Sequence, residues 1–210
     1  MANFKIKLLG LLLFCSNLLF GDTLTEQLLR KQLNSLNKKQ LEVLVKSYIV
    51  GDEKKIGLQL AVIAWKESFF GMYPMNIDDG MYGSYGVFHI LLEYSMQRNN
   101  VVTSFYKSRL AERLVNDFYF SATEARDILL QFYDRTAGKD SRWARTFASY
   151  NGGYRGYNIT ASRRYGDDAM LRINVLNRWM IDNKIREKVI QPVKKYMESR
   201  NIEISTPLVR

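Results

Sequence analysis

The stretch Ile56-Gly57-Leu58-Gln59-Leu60-Ala61-Val62-Ile63-Ala64-Trp65-Lys66-Glu67-Ser68 sets the fold class. Ile56, Leu60, Ile63 and Ala64 recur at i, i+4, i+7 and i+8, the repeat of one apolar helix face. The spacing predicts a helix from about Glu53 to Phe70. Glu67 follows Ile63 by four residues and Ile56 by eleven, so it points along the centre of that face. A carboxyl placed there is partly buried at the last turn of a core helix. Apolar surroundings disfavour its ionised form and raise its pKa. An acid still protonated near neutral pH can protonate the leaving oxygen of a glycosidic bond. The plainer alternative is a solvated glutamate at a helix end.

Outward from this helix the pattern is mainly α. Asp22 to Val50 reads as helix, with Thr23 and Glu26 as a capping box and a break at Gly51-Asp52. Gly71 to Ile90 holds four glycines and the turn signal Asp78-Asp79-Gly80, and predicts a loop with a short β-hairpin beside the helix end. Further helices are expected over Leu91 to Arg98, Phe105 to Asn116, Ala122 to Thr136 and Asp140 to Ser149. Ser121 or Thr123 caps the third of these and Asp140 the last. Tyr150 to Tyr157 reads as a Gly/Tyr loop. Asp167 to Ser199 reads as a long amphipathic stretch broken or kinked at Pro192, with a frayed tail from Asn201.

The chain has 210 residues, 47% of them hydrophobic, enough for one sizeable core and too few for two ordinary domains. Lys5 and Lys7 followed by the apolar run Leu8 to Phe20 predict a signal peptide over 1–21. An uncleaved N-terminal anchor and a lipid on Cys15 are the alternatives. Without the leader no cysteine remains, which excludes disulfides, zinc–thiolate sites and cysteine nucleophiles. His89 is the only histidine, so a His-rich metal site and a Ser-His-Asp triad are disfavoured, and no metal or cofactor is expected. Any chemistry falls to carboxylates. The net charge of +10 suits an anionic polymer or membrane surface. Export argues against nucleic acid as the partner.

Three segments carry a resemblance: Ala64-Trp65-Lys66-Glu67-Ser68, then Ser84-Tyr85-Gly86-Val87-Phe88-His89-Ile90, then Ala148-Ser149-Tyr150-Asn151-Gly152-Gly153. In this order they resemble the soluble lytic transglycosylases, a family of the lysozyme-like superfamily, over roughly Leu58 to Gly153. The resemblance implies a mainly α, lysozyme-like α+β domain with a small β-hairpin or loop region beside the catalytic helix. It implies that Glu67 is the sole catalytic acid/base and that Ser84 lies in a sugar-contacting loop. Gly86 would let that loop pass close to the glycan, Phe88 and His89 would line the cleft, and Tyr150 and Asn151 would lie near the carboxyl and the cleaved bond. Tyr165, in Ser162-Arg163-Arg164-Tyr165, matches the family's late tyrosine approximately. His89 stands where the family usually has glutamine. Read without the resemblance, Tyr150 to Gly153 is an ordinary helix C-terminal turn, and His89 a loop histidine held by backbone.

The implied reaction cleaves the β-1,4 bond between N-acetylmuramic acid and N-acetylglucosamine, with a 1,6-anhydro product. The implied partners are peptidoglycan glycan strands and envelope secretion or division machinery, for a periplasmic monomer with no membrane span after leader removal. The domain plan is 1–21 leader, 22–50 N-terminal helical segment, 51–165 core, and 166–210 C-terminal helical extension. Two other readings stay open. One is a hydrolytic lysozyme in which Asp78 or Asp79 positions water; the plainer role of these aspartates is turn formation before Gly80. The other is a cell-wall-binding component without catalysis.

Overall fold

The computed structural model describes residues 23–199; the expected leader and the tail from Asn201 lie outside them. The chain divides into two compact units between Ser35 and Leu36. In the first, helix α1 (Leu24–Asn34) begins at Thr23, whose hydroxyl accepts from the Glu26 amide at 3.2 Å. The single helix expected from Asp22 to Val50 is therefore two. Helix α2 (Lys38–Asp52) opens the second unit with its own capping box. Asn37 Oδ1 accepts from the Gln40 amide at 3.0 Å, and Gln40 Oε1 accepts from the Asn37 amide at 3.1 Å.

Helix α2 runs through Gly51 and Asp52, where a break was expected. The turn comes at Lys55, which is left-handed at φ 60°. Helix α3 (Gly57–Ser68) then passes through the core. Every residue from Leu60 to Trp65 is at most 2% exposed, so α3 is buried nearly all round rather than along one stripe. It packs against α2 on one side and against α8 (Thr160–Asp182) on another. Its two ends, at Leu58 and Gln59 and at Lys66 and Glu67, are half-buried and reach towards solvent.

The Gly-rich segment holds a three-stranded antiparallel sheet in place of a single hairpin: β1 (Met75–Asn76), β2 (Ser84–Tyr85) and β3 (Ile90–Leu91), in that order. Met75 pairs with Tyr85, and Tyr85 with Ile90. Helices α4 (Leu92–Arg98), α5 (Ser104–Asn116) and α6 (Phe118–Arg135) follow. Helix α6 starts four residues earlier than predicted. Asp117, not Ser121 or Thr123, caps it, accepting from the Phe120 amide at 3.0 Å. Helix α7 (Arg142–Gly152) begins after a left-handed Ser141, without the side-chain cap expected from Asp140. It extends three residues into the predicted Gly/Tyr loop, and the remainder, Gly153–Asn158, is a 3₁₀ turn.

Helix α8 starts seven residues before the predicted Asp167 and ends at Asp182. The chain turns at Lys184, left-handed at φ 52°, eight residues before Pro192. Pro192 instead sits in the first turn of α9 (Gln191–Ser199), after a π turn over Arg186–Ile190. That position tolerates a residue with no amide hydrogen. Gly166 brings α8 close to α7: a Cβ there would lie 2.2 Å from the Ala144 carbonyl oxygen. This approach fixes the height of Tyr165 against the end of α3. No described helix is long and apolar enough to cross a membrane.

Candidate active site

Glu67 lies in the last turn of α3, its side chain 15% exposed. The helix ends there because Phe69, Phe70 and Gly71 are all left-handed, at φ 49°, 57° and 82°. Phe69 and Phe70 carry side chains in a region that disfavours them. Surrounding bonds hold them in it. The Phe70 amide donates to the Ala64 carbonyl at 2.9 Å, and Gln40 Nε2 to the Phe69 carbonyl at 3.2 Å. Ser68 ties this corner to the sheet segment: its hydroxyl donates to the Val87 carbonyl at 2.6 Å and accepts from the Gly71 amide at 2.7 Å.

Three other segments supply groups around the carboxyl. The Tyr165 hydroxyl, from α8, donates to Glu67 Oε1. His89 Nδ1, from the loop before β3, lies 3.6 Å from Glu67 Oε2. The other imidazole nitrogen, Nε2, is 2.7 Å from the Tyr73 carbonyl oxygen. A carbonyl only accepts, so Nε2 carries a hydrogen and Nδ1 is the ring atom that faces Glu67. Tyr150, near the end of α7, donates to the Phe88 carbonyl at 2.9 Å and so braces the His89 loop.

The electrostatics follow from this enclosure. Burial pushes the Glu67 carboxyl up to about 7, against the Tyr165 hydrogen bond and the Lys66 charge, which favour ionisation; the Asp79 charge adds to the rise. Near pH 7 the group is thus shared between acid and base forms. Burial first, and the Glu67 charge second, hold the Tyr165 and Tyr150 phenols well above their ordinary value, so both remain donors.

Behind Tyr165 stands a chain of ions. Lys66 Nζ lies 4.0 Å from the centre of the Tyr165 ring and is bound to Asp168. Arg172 Nε donates to the same Asp168 oxygen at 2.8 Å, and its guanidinium lies 4.6 Å from the Trp65 ring. Burial lowers the Lys66 pKa against the pull of Asp168. Burial also opposes ionisation of Asp168, but the hydrogen bonds from Lys66 and Arg172 outweigh it and hold its carboxyl below the ordinary value. The sequence reading had not singled out Lys66, Asp168 or Arg172. Their signal was the spacing Tyr165, Asp168, Arg172, at i, i+3 and i+7 on one helix face.

The expected site residues separate into two groups. Glu67, His89, Tyr150 and Tyr165 come together. Ser84 and Phe88 are fully buried, so their side chains build the loop from within rather than face a glycan. Gly86 is required by packing behind the loop. At φ 79° a Cβ there would lie 2.3 Å from the Leu114 carbonyl oxygen and 2.5 Å from Ser121 Oγ. Asn151 is exposed in the last turn of α7. Of the two aspartates, Asp78 is exposed and Asp79 half-buried, with its charge felt at Glu67. Tyr73, not foreseen, presents its carbonyl to His89 and leaves its ring exposed beside the site. Among the described residues, no cluster of three or more His, Cys, Asp or Glu side chains is placed to hold a metal ion. Comparison with protein-family models, with curated proteins and with solved structures gives no match to this chain.

Proposed function

We propose that this chain is an exported peptidoglycan lytic transglycosylase built on a lysozyme-like fold, with Glu67 as its acid and base. One observation carries the reading: the three sequence segments that resemble the family converge on a single buried carboxylic acid. Glu67 and Ser68 end α3, the Val87 carbonyl accepts from Ser68, and the Tyr150 hydroxyl holds the Phe88 carbonyl next to His89. A carboxyl raised to about 7 suits a group that must give a proton and then take one back.

In this mechanism Glu67 donates its proton to the bridging oxygen as the bond from C1 of the muramic residue breaks. The resulting carboxylate, held by Tyr165, accepts the proton of the muramic 6-hydroxyl. That oxygen bonds to C1 and closes the 1,6-anhydro ring, which returns Glu67 to its starting form. His89, whose Nδ1 lies 3.6 Å from Glu67 Oε2, stands beside the carboxyl in this scheme. The periplasmic setting rests on the basic and apolar leader sequence.

A second reading, hydrolysis on the same frame, draws on Asp79, whose charge reaches Glu67 from the loop. Mass spectrometry of fragments released from purified peptidoglycan separates the two, since the anhydro product is lighter by one water. The wild type is expected to release anhydro fragments and Glu67→Gln none. A fully active Glu67→Gln protein would remove the assignment.

A further inference from the structure

We propose that the surface around the 3₁₀ turn Gly153–Asn158 is a binding site for the carboxylate-bearing peptide substituents of the glycan, built on Arg145, Arg163 and Tyr157; this rests on the glycan reading of the Glu67 site. The chain's positive charge is concentrated here. Between Arg135 and Arg164 there are seven basic residues and one acidic residue, Asp140.

The arginines are held in place without counter-ions. The Arg145 guanidinium lies 3.8 Å from the centre of the Tyr157 ring, and Arg163 lies 6.0 Å from the same ring. Arg145 Nε is further fixed to the Asp140 carbonyl at 2.9 Å, which leaves its two terminal nitrogens as a free planar fork. Arg135 stacks on Tyr154, whose ring is 71% exposed, at 4.9 Å. Among the described residues Arg142 has Asp134 at 3.7 Å, whereas Arg135, Arg145, Arg155, Arg163 and Arg164 form no ion pair with a side chain. Two guanidiniums sharing one ring repel each other, and an anion between them would relieve that repulsion. A planar fork already ordered by stacking matches the two oxygens of a carboxylate.

Position selects the ligand. Tyr157 lies in the connection between Tyr150 and Tyr165, the two tyrosines directed towards Glu67 and its loop. Gly156, in the same turn, packs against Ala148 and Ser149, next to Tyr150, and on the glycan reading this turn is where the side substituents of a strand bound at Glu67 would fall. Nucleic acid fits less well: bases stack on free aromatic faces, and Arg145 covers a face of Tyr157.

The test uses the full chain as Glu67→Gln, which binds without turnover. Soluble glycan strands carrying peptide stems are compared with the same strands whose stem carboxylates have been converted to amides, at fixed salt. The strands with free carboxylates are expected to bind about tenfold more tightly, the order of one charge-assisted bidentate contact. Adding Arg145→Ala and Arg163→Ala should abolish that preference while leaving the affinity for the amidated strands unchanged and the helical circular dichroism intact. Equal binding of the two strand types, or a preference that survives the double substitution, overturns the proposal and leaves the Glu67 reading intact. Displacement of stem-bearing strands by single-stranded DNA through the same two arginines would overturn it in favour of nucleic acid. Failure to bind either strand type would overturn the glycan reading and this proposal with it.

Discussion

The ammonium of Lys66 lies 4.0 Å from the centre of the Tyr165 ring, whose hydroxyl donates to Glu67, the residue next to Lys66. One helix end thus acts on its own carboxyl twice, through its charge and through a phenol on another helix. A cation over the ring draws electron density from the phenol, and the hydroxyl becomes a better donor. Both effects favour the carboxylate and oppose the rise due to burial.

Tyr165→Phe removes the hydrogen bond that stabilises ionised Glu67. The Glu67 pKa then climbs above about 7. A carbon-13 titration of the glutamate carboxyls should show that resonance moving to higher pH. Turnover should fall about 100-fold, the scale for losing one preorganised donor. An unmoved titration would show that the phenol does not act on the carboxyl.

Glu67 also links stability to pH. Its folded pKa, about 7, lies above the ordinary 4.5, so the folded state binds the proton more tightly than the unfolded chain. The associated stability is complete below about pH 4.5 and is lost as pH rises towards 7. Glutamine in its place has no charge to desolvate. Glu67→Gln should therefore be more stable than wild type at pH 8, by about 3 kcal/mol, with the gap closing at pH 4. Thermal melts at the two pH values measure this; a gap independent of pH would contradict it.

Lys66→Met removes one of the two cations on Asp168 and leaves Arg172. A loss of about 1–3 kcal/mol is expected from the weakened buried pairing. The Glu67 titration should move upward as well, because a positive charge has gone. Lys66→Arg should restore most of both. A merely structural role would change stability without moving the titration.

Gly86→Ala and Gly153→Ala separate space from backbone. Both glycines have positive φ, 79° and 70°, and Gly153 has ψ −163°, a region populated essentially by glycine alone. A Cβ at Gly86 meets the Leu114 carbonyl and Ser121, while one at Gly153 meets nothing within 4 Å. Chemical denaturation should show a loss of about 3 kcal/mol or more at position 86, where backbone and packing both oppose the methyl group, and a smaller one of about 1–2 kcal/mol at position 153, where only the backbone does. Equal losses would mean that the packing behind the His89 loop is softer than described.

The helical character and the enclosure of Glu67 were legible because period and burial agree along α3. Even there the one-sided stripe understated the burial: Val62 and Trp65, off the quoted stripe, are as enclosed as Leu60. Sequence spacing records which residues are apolar, not how many neighbouring helices surround them. The ends of α6 and α8 were misplaced because Asp117 outcompeted Ser121 as a cap, and because a left-handed Lys184 ended α8 where proline was expected to act. Local propensity cannot rank two good caps when tertiary packing decides. Within the site, Tyr150, Tyr165 and His89 were placed by motif, whereas the Lys66–Asp168 pair was not. That pair joins residues 102 positions apart, and no local pattern encodes such a distance.

Phe69, Phe70 and His89 all hold left-handed backbone around one carboxyl. A laboratory selection for heat resistance alone would find these positions early, since glycine or asparagine relaxes each of them. Its winners at position 89 would melt later and lack the imidazole beside Glu67. A selection that also demanded turnover would keep His89 and leave its strain in place.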